Sequence, residues 1–365
     1  MRIALVAPLV STIAQPYAGG AQAMLADLAR SLARHGHAVT LFARQGSVVP
    51  GVHIEQISVP DSVHPASFAQ PLQERPTDSG FFAQANLFLE LFLQLRQRQG
   101  EFDLVHAHAF DWPAYACSAL LTEIPVVHTL HLPAISPEIN DALRTLQGQE
   151  HSLTLVTVSH ACAHTYAEHT AIDAVIYNGV DLGAIPFSSS VPATAPLIFA
   201  GRIAPEKGVE AAIEIAERAG RQLVIAGGVY DQDYYETRIA PRIERARERI
   251  TYLGLLGHQA LWEVMSQALG LLCPIEWDEP CALVPLEAQA TGTPVIAYRR
   301  GCMPEMLLHG VTGFLIEPGA CDSAVAYVAS LAQLSRTHCR AQMEQRFSLE
   351  QMLDAYEHLY ADLVK

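Results

Sequence analysis

Residues 279–297 read EPCALVPLEAQATGTPVIA, and this stretch combines a loop, a helix and a short strand. Pro280 breaks the preceding segment, and residues 283–291 have the composition of a helix. Gly292 and Pro294 end that helix, because glycine is common just beyond a helix C-terminus and proline cannot continue the helix. The apolar residues that follow predict a buried strand. A helix that leads directly into a buried strand is typical of an α/β domain.

Two carboxylates lie eight positions apart in this stretch, on either side of the helix start. Glu279 lies in the loop, and Glu287 projects from the second turn of the predicted helix. If the helix begins near Cys281 or Ala282, the free backbone N–H groups at its start, near Ala282, Leu283 and Val284, can hold an anion. One carboxylate can therefore contact one end of a bound ligand, and the other carboxylate the opposite end.

A second candidate site lies in residues 201–208, GRIAPEKG, between an apolar strand at 197–200 and a helix at 209–219. Arg202 can bind phosphate oxygens through the paired N–H donors of its planar guanidinium, and Lys207 adds a mobile positive charge. A diphosphate leaving group requires such positive charges. Either cation could instead be an ordinary solvated charge. A lysine at a helix N-terminus is nevertheless unfavourable without an anion, because the helix dipole is positive there. The cations and acids together predict a nucleotide-sugar site.

Short apolar runs alternate with helical stretches along the chain. In the first half, strands are predicted at residues 3–7, 38–43, 104–107, 126–130, 155–158 and 175–177. In the second half, they are predicted at residues 197–200, 223–226, 250–253, 271–274, 295–297 and 313–316. This alternation predicts an α/β protein with two doubly wound domains, each built on a parallel sheet with helices on both faces. Ligands of such sheets bind at the carboxyl ends of the strands.

A linker is predicted at residues 182–196, where three prolines and three consecutive serines interrupt any periodicity. It separates a first domain at residues 1–181 from a second domain at residues 197–346. The last segment, residues 347–365, begins with a capping box and continues with apolar residues at helical spacing. It therefore predicts a terminal helix.

The composition limits the class of protein. The chain has 365 residues, of which 50% are hydrophobic, and this is enough for two globular cores. Its net charge of −15 argues against a nucleic-acid surface and leaves at most weak peripheral contact with a membrane. No apolar run approaches the roughly 18 residues of a spanning helix, and no signal peptide is recognisable, so we expect a cytoplasmic protein. The seven cysteines are scattered, so neither a disulfide framework nor a zinc site is expected.

The order of several short motifs resembles one known family, the retaining glycosyltransferases of family GT4. Besides residues 201–208 and 279–287, these motifs are YAGGAQ at 17–22, HAH at 106–108, VHTLH at 127–131, VS at 158–159, NGVD at 178–181, GCMPE at 301–305 and GVTGFL at 310–315. Together they cover nearly the whole chain. The resemblance implies the GT-B fold, in which two Rossmann-like domains face each other across a cleft and the terminal helix crosses back to the first domain.

The resemblance also implies a function and the residues that carry it. A sugar is transferred from a nucleotide donor to an acceptor on the first domain, with retention of the anomeric configuration. The implied catalytic residues are His131 beside the donor sugar, Glu279 on the sugar hydroxyls, and Arg202 and Lys207 on the departing diphosphate. The implied donor-binding residues are Gly20, Gly201, Gly228, Leu253, Ala282, Leu283, Val284 and, on the ribose, Glu287. Gly19 and His108 are assigned to the acceptor side.

The expected co-substrate is a nucleotide sugar, UDP-linked by resemblance, while GDP and ADP stay open. The expected acceptor is a hydroxyl group, but residues 60–80, which belong to the acceptor side, have no interpretable pattern. No cofactor and no metal ion are expected, because two cations and a helix N-terminus already neutralise a diphosphate. Asp231 and Asp233 imitate the D-x-D metal site of another transferase class, but they begin a predicted helix at residues 234–249, where acids complement the dipole.

Two other functions stay open. A nucleotide-sugar epimerase of the same fold would convert its donor without an acceptor, and a non-catalytic protein would only bind the donor. Both acids, both cations and His131 are present, which argues against the non-catalytic protein. A phosphorylase would need a lysine for pyridoxal phosphate, and the chain has only Lys207 and Lys365. Retention by front-face attack and retention through a covalent intermediate both remain possible.

Overall fold

The computed structural model describes residues 1–17, 19–60, 78–147 and 153–365. Ala18 of the YAGGAQ motif and most of residues 60–80 on the predicted acceptor side lie outside these ranges. The described chain forms two compact units. Unit 1 comprises residues 1–178 and 349–365, and unit 2 comprises residues 179–348.

Unit 1 contains a seven-stranded parallel sheet in the order β3-β2-β1-β4-β5-β6-β7. The strands are β1 Arg2–Val6, β2 Ala38–Arg44, β3 His53–Ile57, β4 Leu104–Ala107, β5 Val126–Leu130, β6 Leu153–Thr157 and β7 Ala174–Val175. The helices are α1 Gly20–Arg34, α2 Asp78–Gln97, α3 Trp112–Ser118, α4 Pro137–Gln147, α5 His160–Thr165 and the terminal helix Leu349–Leu363. Six of the strands were predicted from their apolar runs, whereas β3, at the sheet edge, was not.

The terminal helix packs into the core of unit 1. Its Leu349, Met352, Tyr356 and Tyr360 share one buried cluster with side chains of β1 and α1. Burial of a large apolar side chain contributes about 1.5–3 kcal/mol, so this contact fixes the end of the chain to the first sheet.

A buried polar network lies beneath the terminal helix. The Tyr360 hydroxyl is 2.5 Å from Nδ1 of His106, and Nε2 of His106 is 2.8 Å from the Thr129 hydroxyl. The Thr129 hydroxyl in turn lies 2.9 Å from the Tyr356 hydroxyl. These polar groups are all fully buried, and their mutual hydrogen bonds avoid the cost of unpaired polar atoms in a core. The network therefore joins the terminal helix to β4 and β5.

Unit 2 contains a six-stranded parallel sheet in the order β10-β9-β8-β11-β12-β13. The strands are β8 Leu197–Ala200, β9 Leu223–Ala226, β10 Ile250–Tyr252, β11 Gly270–Cys273, β12 Val295–Tyr298 and β13 Gly313–Ile316. The helices are α6 Val209–Arg218, α7 Gln232–Tyr234, α8 Ala240–Arg245, α9 His258–Ser266, α10 Leu283–Ala290, α11 Met303–Met306, α12 Cys321–Val328 and α13 Arg336–Arg346. All six of these strands were predicted from the sequence.

Residues 182–196, predicted as a linker, belong to unit 2 in the structure. Arg336 of α13 donates to the Ser188 carbonyl at 2.7 Å, and Arg340 donates to the Leu182 carbonyl at 2.7 Å. A run of prolines and serines indicates irregular backbone, but it does not indicate which domain that backbone packs against.

The helix predicted at residues 234–249 is present as a continuous helical stretch from Gln232 to Arg245, but it is not a regular α-helix throughout and it ends four residues earlier than predicted. The structure has α7, a π-helical turn at Tyr235–Ile239, and α8, which ends at Arg245. Pro241 has no backbone N–H and cannot make the i→i−4 bond, which accounts for the changed hydrogen-bond pattern before it. Among the described residues, no helix combines the length and the hydropathy needed to cross a bilayer.

Candidate functional site

The centre of the unit 2 sheet brings two of the predicted motifs together. The strand order reverses between β8 and β11, which are hydrogen-bonded neighbours. Residues 201–208 follow the carboxyl end of β8, and residues 274–282 follow the carboxyl end of β11. Ligands of open parallel sheets bind at such a reversal point, so topology alone marks these two loops as a site.

Lys207 and Glu279 form the closest charged contact between these loops. Nζ of Lys207 lies 2.6 Å from Oε2 of Glu279, and the two side chains are 15% and 14% exposed. Trp277 donates its indole N–H to the same carboxylate oxygen at 2.7 Å, and its ring lies 5.6 Å from Nζ of Lys207. Lys207 is therefore paired with Glu279 within the chain, and its predicted contact with a diphosphate stays a prediction. This arrangement holds both side chains in place.

Two glycines build the close contacts of this site. Gly208 has a φ of +74°, and a Cβ there would lie 1.9 Å from the Pro274 carbonyl oxygen. Gly301 has a φ of +51°, and a Cβ there would lie 2.5 Å from the Glu279 carbonyl oxygen. The backbone N–H of Cys302 also donates to that oxygen at 2.9 Å. Glycine at these positions therefore allows the loops to approach one another and sets the position of Glu279.

Arg202 belongs to the same loop after β8 as Lys207. Its guanidinium carbon is 4.4 Å from the centre of the Tyr230 ring, a cation–π contact. Its nearest carboxylate is Glu206, at 3.5 Å. Two-thirds of the Arg202 side chain is buried, since it is 33% exposed. Tyr230 thus orients a cation whose donors can still turn to an anionic ligand.

The N-terminus of α10 is a possible anion site. Ala282 is the N-cap residue, no side chain caps this end, and no acid lies in the first turn. Leu283 and Val284 are half-buried, and the next residue is Pro285, which has no N–H. The backbone N–H groups of Leu283 and Val284 are therefore the donors that this helix end can offer. Glu287, one turn further, is buried with 6% exposure.

The remaining predicted donor-side residues follow β8, β9 and β10. Gly201 has a φ of +151°, Gly228 is half-buried, and Leu253 is 40% exposed. Asp231, of the D-x-D triplet, caps α7 by accepting from the Tyr234 backbone N–H at 2.9 Å. Among the described residues, no three His, Cys, Asp or Glu side chains are grouped so as to hold a metal ion.

In unit 1 the predicted residues follow β1, β4 and β5. The sheet order reverses between β1 and β4. Gly19 is the N-cap of α1 and Gly20 its first residue, and both are exposed. The φ of Gly19 is −167°, an extended conformation that any residue adopts, so the backbone does not require glycine there. His108 and His131 follow β4 and β5.

His108 and His131 contact each other in the interior of unit 1. Nδ1 of His108 lies 3.0 Å from Nε2 of His131, and the ring centroids are 5.3 Å apart. His108 is fully buried, whereas His131 retains 8% exposure. Burial lowers the pKa of His131 to about 4 and places the pKa of His108 well below its usual range. We therefore revise the role of His108, because a fully buried ring cannot contact an acceptor.

Acid should destabilise unit 1 because four buried histidines are neutral in the folded state. Burial lowers the pKa of His128 to about 3, and it lowers that of His106 well below the usual value. In the unfolded chain each pKa is about 6.5, so the unfolded state binds more protons below that pH. Stability is then lost as the pH falls through 6.5, by up to about 1.4 kcal/mol per pH unit for each histidine. Burial raises the pKa of Asp111 to about 6, so in this pH range the folded state binds about one proton at Asp111 that the unfolded state does not. This offsets the proton taken up by about one histidine on unfolding.

We expect the free energy of unfolding of unit 1 to fall by on the order of 5 kcal/mol between pH 7 and pH 5. Urea unfolding, monitored by amide exchange in β4 and β5, measures this change. His128→Leu should lower the number of protons taken up on unfolding by about one, and so reduce the dependence of the unfolding free energy on pH. Neither ring nitrogen of His128 has a hydrogen-bond partner among the described residues. His53→Leu is the matched control, because the His53 side chain is 68% exposed. Equal slopes for both variants would contradict the burial of a neutral His128.

Three residues of the unit 2 site were not predicted from the sequence. Trp277 and Tyr230 are aromatic residues near the predicted cations, and this proximity along the chain was an available signal. Gly301 was recognised only as part of a motif, and no local signal connects it with Glu279. Contacts between separate loops depend on the folded backbone.

Comparison with known families agrees with this architecture. The family model described as Glycosyl transferases group 1 matches residues 188–347, and that described as Glycosyltransferase Family 4 matches residues 18–184. Glycogen synthase of Mycobacterium tuberculosis is 28% identical over 346 residues, which cover 86% of this chain and 82% of that protein.

Solved structures share the fold over the full chain. The sucrose-phosphate synthase of Thermosynechococcus elongatus superposes with a TM-score of 0.77 at 20% identity, over 100% of this chain and 99% of that one. HepE of Anabaena in complex with UDP-glucose superposes with a TM-score of 0.73 at 19% identity, over 100% of both chains. The chain therefore belongs to the GT4 family of glycosyltransferases and has the GT-B fold.

Proposed function

We propose that this glycosyltransferase is a retaining enzyme that moves a hexose from a UDP-linked donor to a hydroxyl group of a glycan, glycolipid or small molecule. Unit 2 binds the donor, and unit 1 binds the acceptor. The observation that carries the proposal is the grouping of Lys207, Glu279 and the N-terminus of α10 at the strand-order reversal of unit 2. A cation, a carboxylate and a helix N-terminus are the groups that a sugar diphosphate can use.

Stabilisation of the departing diphosphate is the main chemical step. As the bond to the anomeric carbon breaks, negative charge accumulates on the diphosphate, and prearranged donors lower the barrier. Lys207 has three N–H donors, so it can keep its contact with Glu279 while another donor reaches a phosphate oxygen. Arg202 and the backbone N–H groups of Leu283 and Val284 complete this set. No metal ion is needed in this scheme.

The other site residues recognise the donor or lie beside the reacting centre. Glu279 accepts hydrogen bonds from hydroxyls of the transferred sugar, and Glu287 accepts them from the ribose. His131 lies beside the donor sugar. HepE, which shares the fold, has been solved with UDP and with UDP-glucose, and this supports UDP as the carrier.

The experiment that tests the proposal is a nucleotide screen followed by a transfer assay. At a concentration 100 times its dissociation constant, UDP should stabilise the protein by about 2.7 kcal/mol, with smaller shifts for GDP and ADP. Glu287→Gln should abolish most of the UDP shift. With the matching UDP-hexose, UDP should be released in the presence of EDTA, and NMR of the product should show the retained anomer.

Three outcomes would overturn parts of the proposal. Stabilisation by ADP or GDP alone would exclude a UDP donor. Conversion of the nucleotide sugar without an acceptor, and with no release of nucleotide, would indicate an epimerase. Loss of activity in EDTA with recovery in magnesium would exclude the metal-independent scheme.

A further inference from the structure

The contact between His108 and His131 raises the question of which ring carries the shared proton. The two nitrogens are 3.0 Å apart, within hydrogen-bond distance. Burial keeps both rings neutral, since it lowers the pKa of each. A neutral imidazole has one N–H and one bare nitrogen, so one of the two facing nitrogens carries a proton and the other accepts it.

The surroundings of His108 indicate which nitrogen that is. Nε2 of His108 is buried and has no hydrogen-bond partner among the described residues. An unpaired buried N–H is rarer and less favourable than an unpaired acceptor, so the proton of His108 belongs on Nδ1. That proton is donated to Nε2 of His131. His131 must then carry its own proton on Nδ1.

The Nδ1 edge of His131 is the part of the ring that remains for a ligand. No hydrogen bond to this atom is found in the described part of the chain, and His131 is the only member of the pair with any exposure. His131 also directly follows β5, at the carboxyl end of the strand, where ligands of a parallel sheet bind.

We propose that His108 is a positioning residue, which fixes His131 as the tautomer with its proton on Nδ1 and thereby presents an N–H donor to an oxygen of the substrate. This inference rests on the proposed place of His131 beside the donor sugar. A donor at this position suits sugar hydroxyl or ring oxygens, all of which accept hydrogen bonds.

The ring of His108 is itself held in place. It lies 4.0 Å from the ring of His106, measured between centroids. His106 is fixed by Tyr360 and Thr129, as described above for the polar network. This contact between the two tilted rings limits the rotation of His108 and keeps its Nδ1 atom directed at His131.

Amide substitutions at position 108 separate positioning from packing. In His108→Asn the amide nitrogen takes the place of Nδ1 and can still donate to His131. In His108→Gln the amide lies further out, in the place of Nε2, and His108→Leu removes the donor. We expect kcat within about threefold of the wild type for His108→Asn and a loss of about 10- to 100-fold for His108→Gln and His108→Leu, at unchanged KM for the donor. Equal losses for Asn and Gln would overturn the proposal.

Nitrogen NMR of histidine-labelled protein gives a second readout that does not depend on activity. The signals of His131 are assigned by their absence in His131→Ala. In the wild type, Nδ1 of His131 should be protonated and Nε2 bare, and in His108→Leu the proton should shift to Nε2 in part of the population. A proton on Nε2 of His131 in the wild type would overturn the tautomer assignment. Full activity of His131→Ala would instead refute the proposed place of His131, whatever the tautomer.

Discussion

Replacement of Lys207 by alanine is expected to lower kcat by about 10²- to 10³-fold. Lys207 belongs to the loop after β8, and its Nζ lies 2.6 Å from the Glu279 carboxylate. Its removal takes away a donor to the departing diphosphate and one of the two contacts that hold the Glu279 carboxylate. Because these interactions strengthen as charge develops, the loss should appear in kcat more than in KM for the donor.

Lys207→Ala should remain folded. Glu279 keeps its hydrogen bond from Trp277, so the carboxylate does not become unpaired. We therefore expect a loss of only about 1–3 kcal/mol in the free energy of unfolding. Denaturant unfolding of the variant measures this directly, and a collapsed or aggregated variant would be uninformative about catalysis, so kcat is compared only at temperatures where both proteins are folded.

The chain offers a matched control for this experiment. Lys365 is the only other lysine, and its side chain is 75% exposed in an ion pair with Asp362. Lys365→Ala removes the same charge at the surface and should leave kcat unchanged. Lys207→Arg keeps the charge but replaces the compact ammonium group with a planar guanidinium, so it should retain only part of the activity. Activity of Lys207→Ala equal to that of Lys365→Ala would contradict the assignment.

Most strands of both sheets could be predicted from the sequence, because interior strands of a parallel sheet are continuous apolar runs. The strand β3, with the sequence HIEQI, is at the sheet edge and none of its residues is fully buried. It therefore lacks the apolar run and was not predicted. The π-helical turn at Tyr235–Ile239 was missed for another reason. The spacing of apolar residues predicts a helix, but it does not indicate which backbone hydrogen bonds form near Pro241.

The positions of the unit 2 site residues were also predictable in outline. Arg202, Lys207 and Glu279 all follow predicted strands, and the carboxyl ends of parallel strands share one edge of a sheet. The direct pairing of Lys207 with Glu279 was not predicted, because it depends on the neighbouring positions of β8 and β11. The diphosphate that the sequence predicted as the anion for Lys207 stays a prediction, and the structure adds the contact with Glu279.

Burial was the property that the sequence could not give for the histidines. His108 and His131 end neighbouring strands, and each was assigned to the site separately. Their mutual contact depends on the register of β4 and β5, in which Ala107 lies opposite His128. The complete burial of His108 changes it from a group that contacts a ligand to one that acts through His131.

Gly301→Ala is expected to lower kcat by about 10- to 100-fold although position 301 carries no functional side chain. A Cβ at this position would lie 2.5 Å from the Glu279 carbonyl oxygen and 2.6 Å from the Glu279 backbone nitrogen. Backbone atoms cannot give way as the end of a flexible side chain can. The loop that carries Glu279 must therefore move, and its contact with Lys207 is lost or lengthened.

Part of any effect of Gly301→Ala is backbone strain, since its φ of +51° is unfavourable for alanine. Gly220 is the matched control, because it has a φ of +64° in the same unit and nothing within 4 Å of a Cβ. Gly220→Ala should cost about 1 kcal/mol of stability with no change in kcat, whereas Gly301→Ala should cost about 1–3 kcal/mol more from the clash. If kcat falls equally in both variants, strain rather than the position of Glu279 is responsible. If kcat is unchanged in Gly301→Ala despite lost stability, catalysis does not depend on where Gly301 holds Glu279.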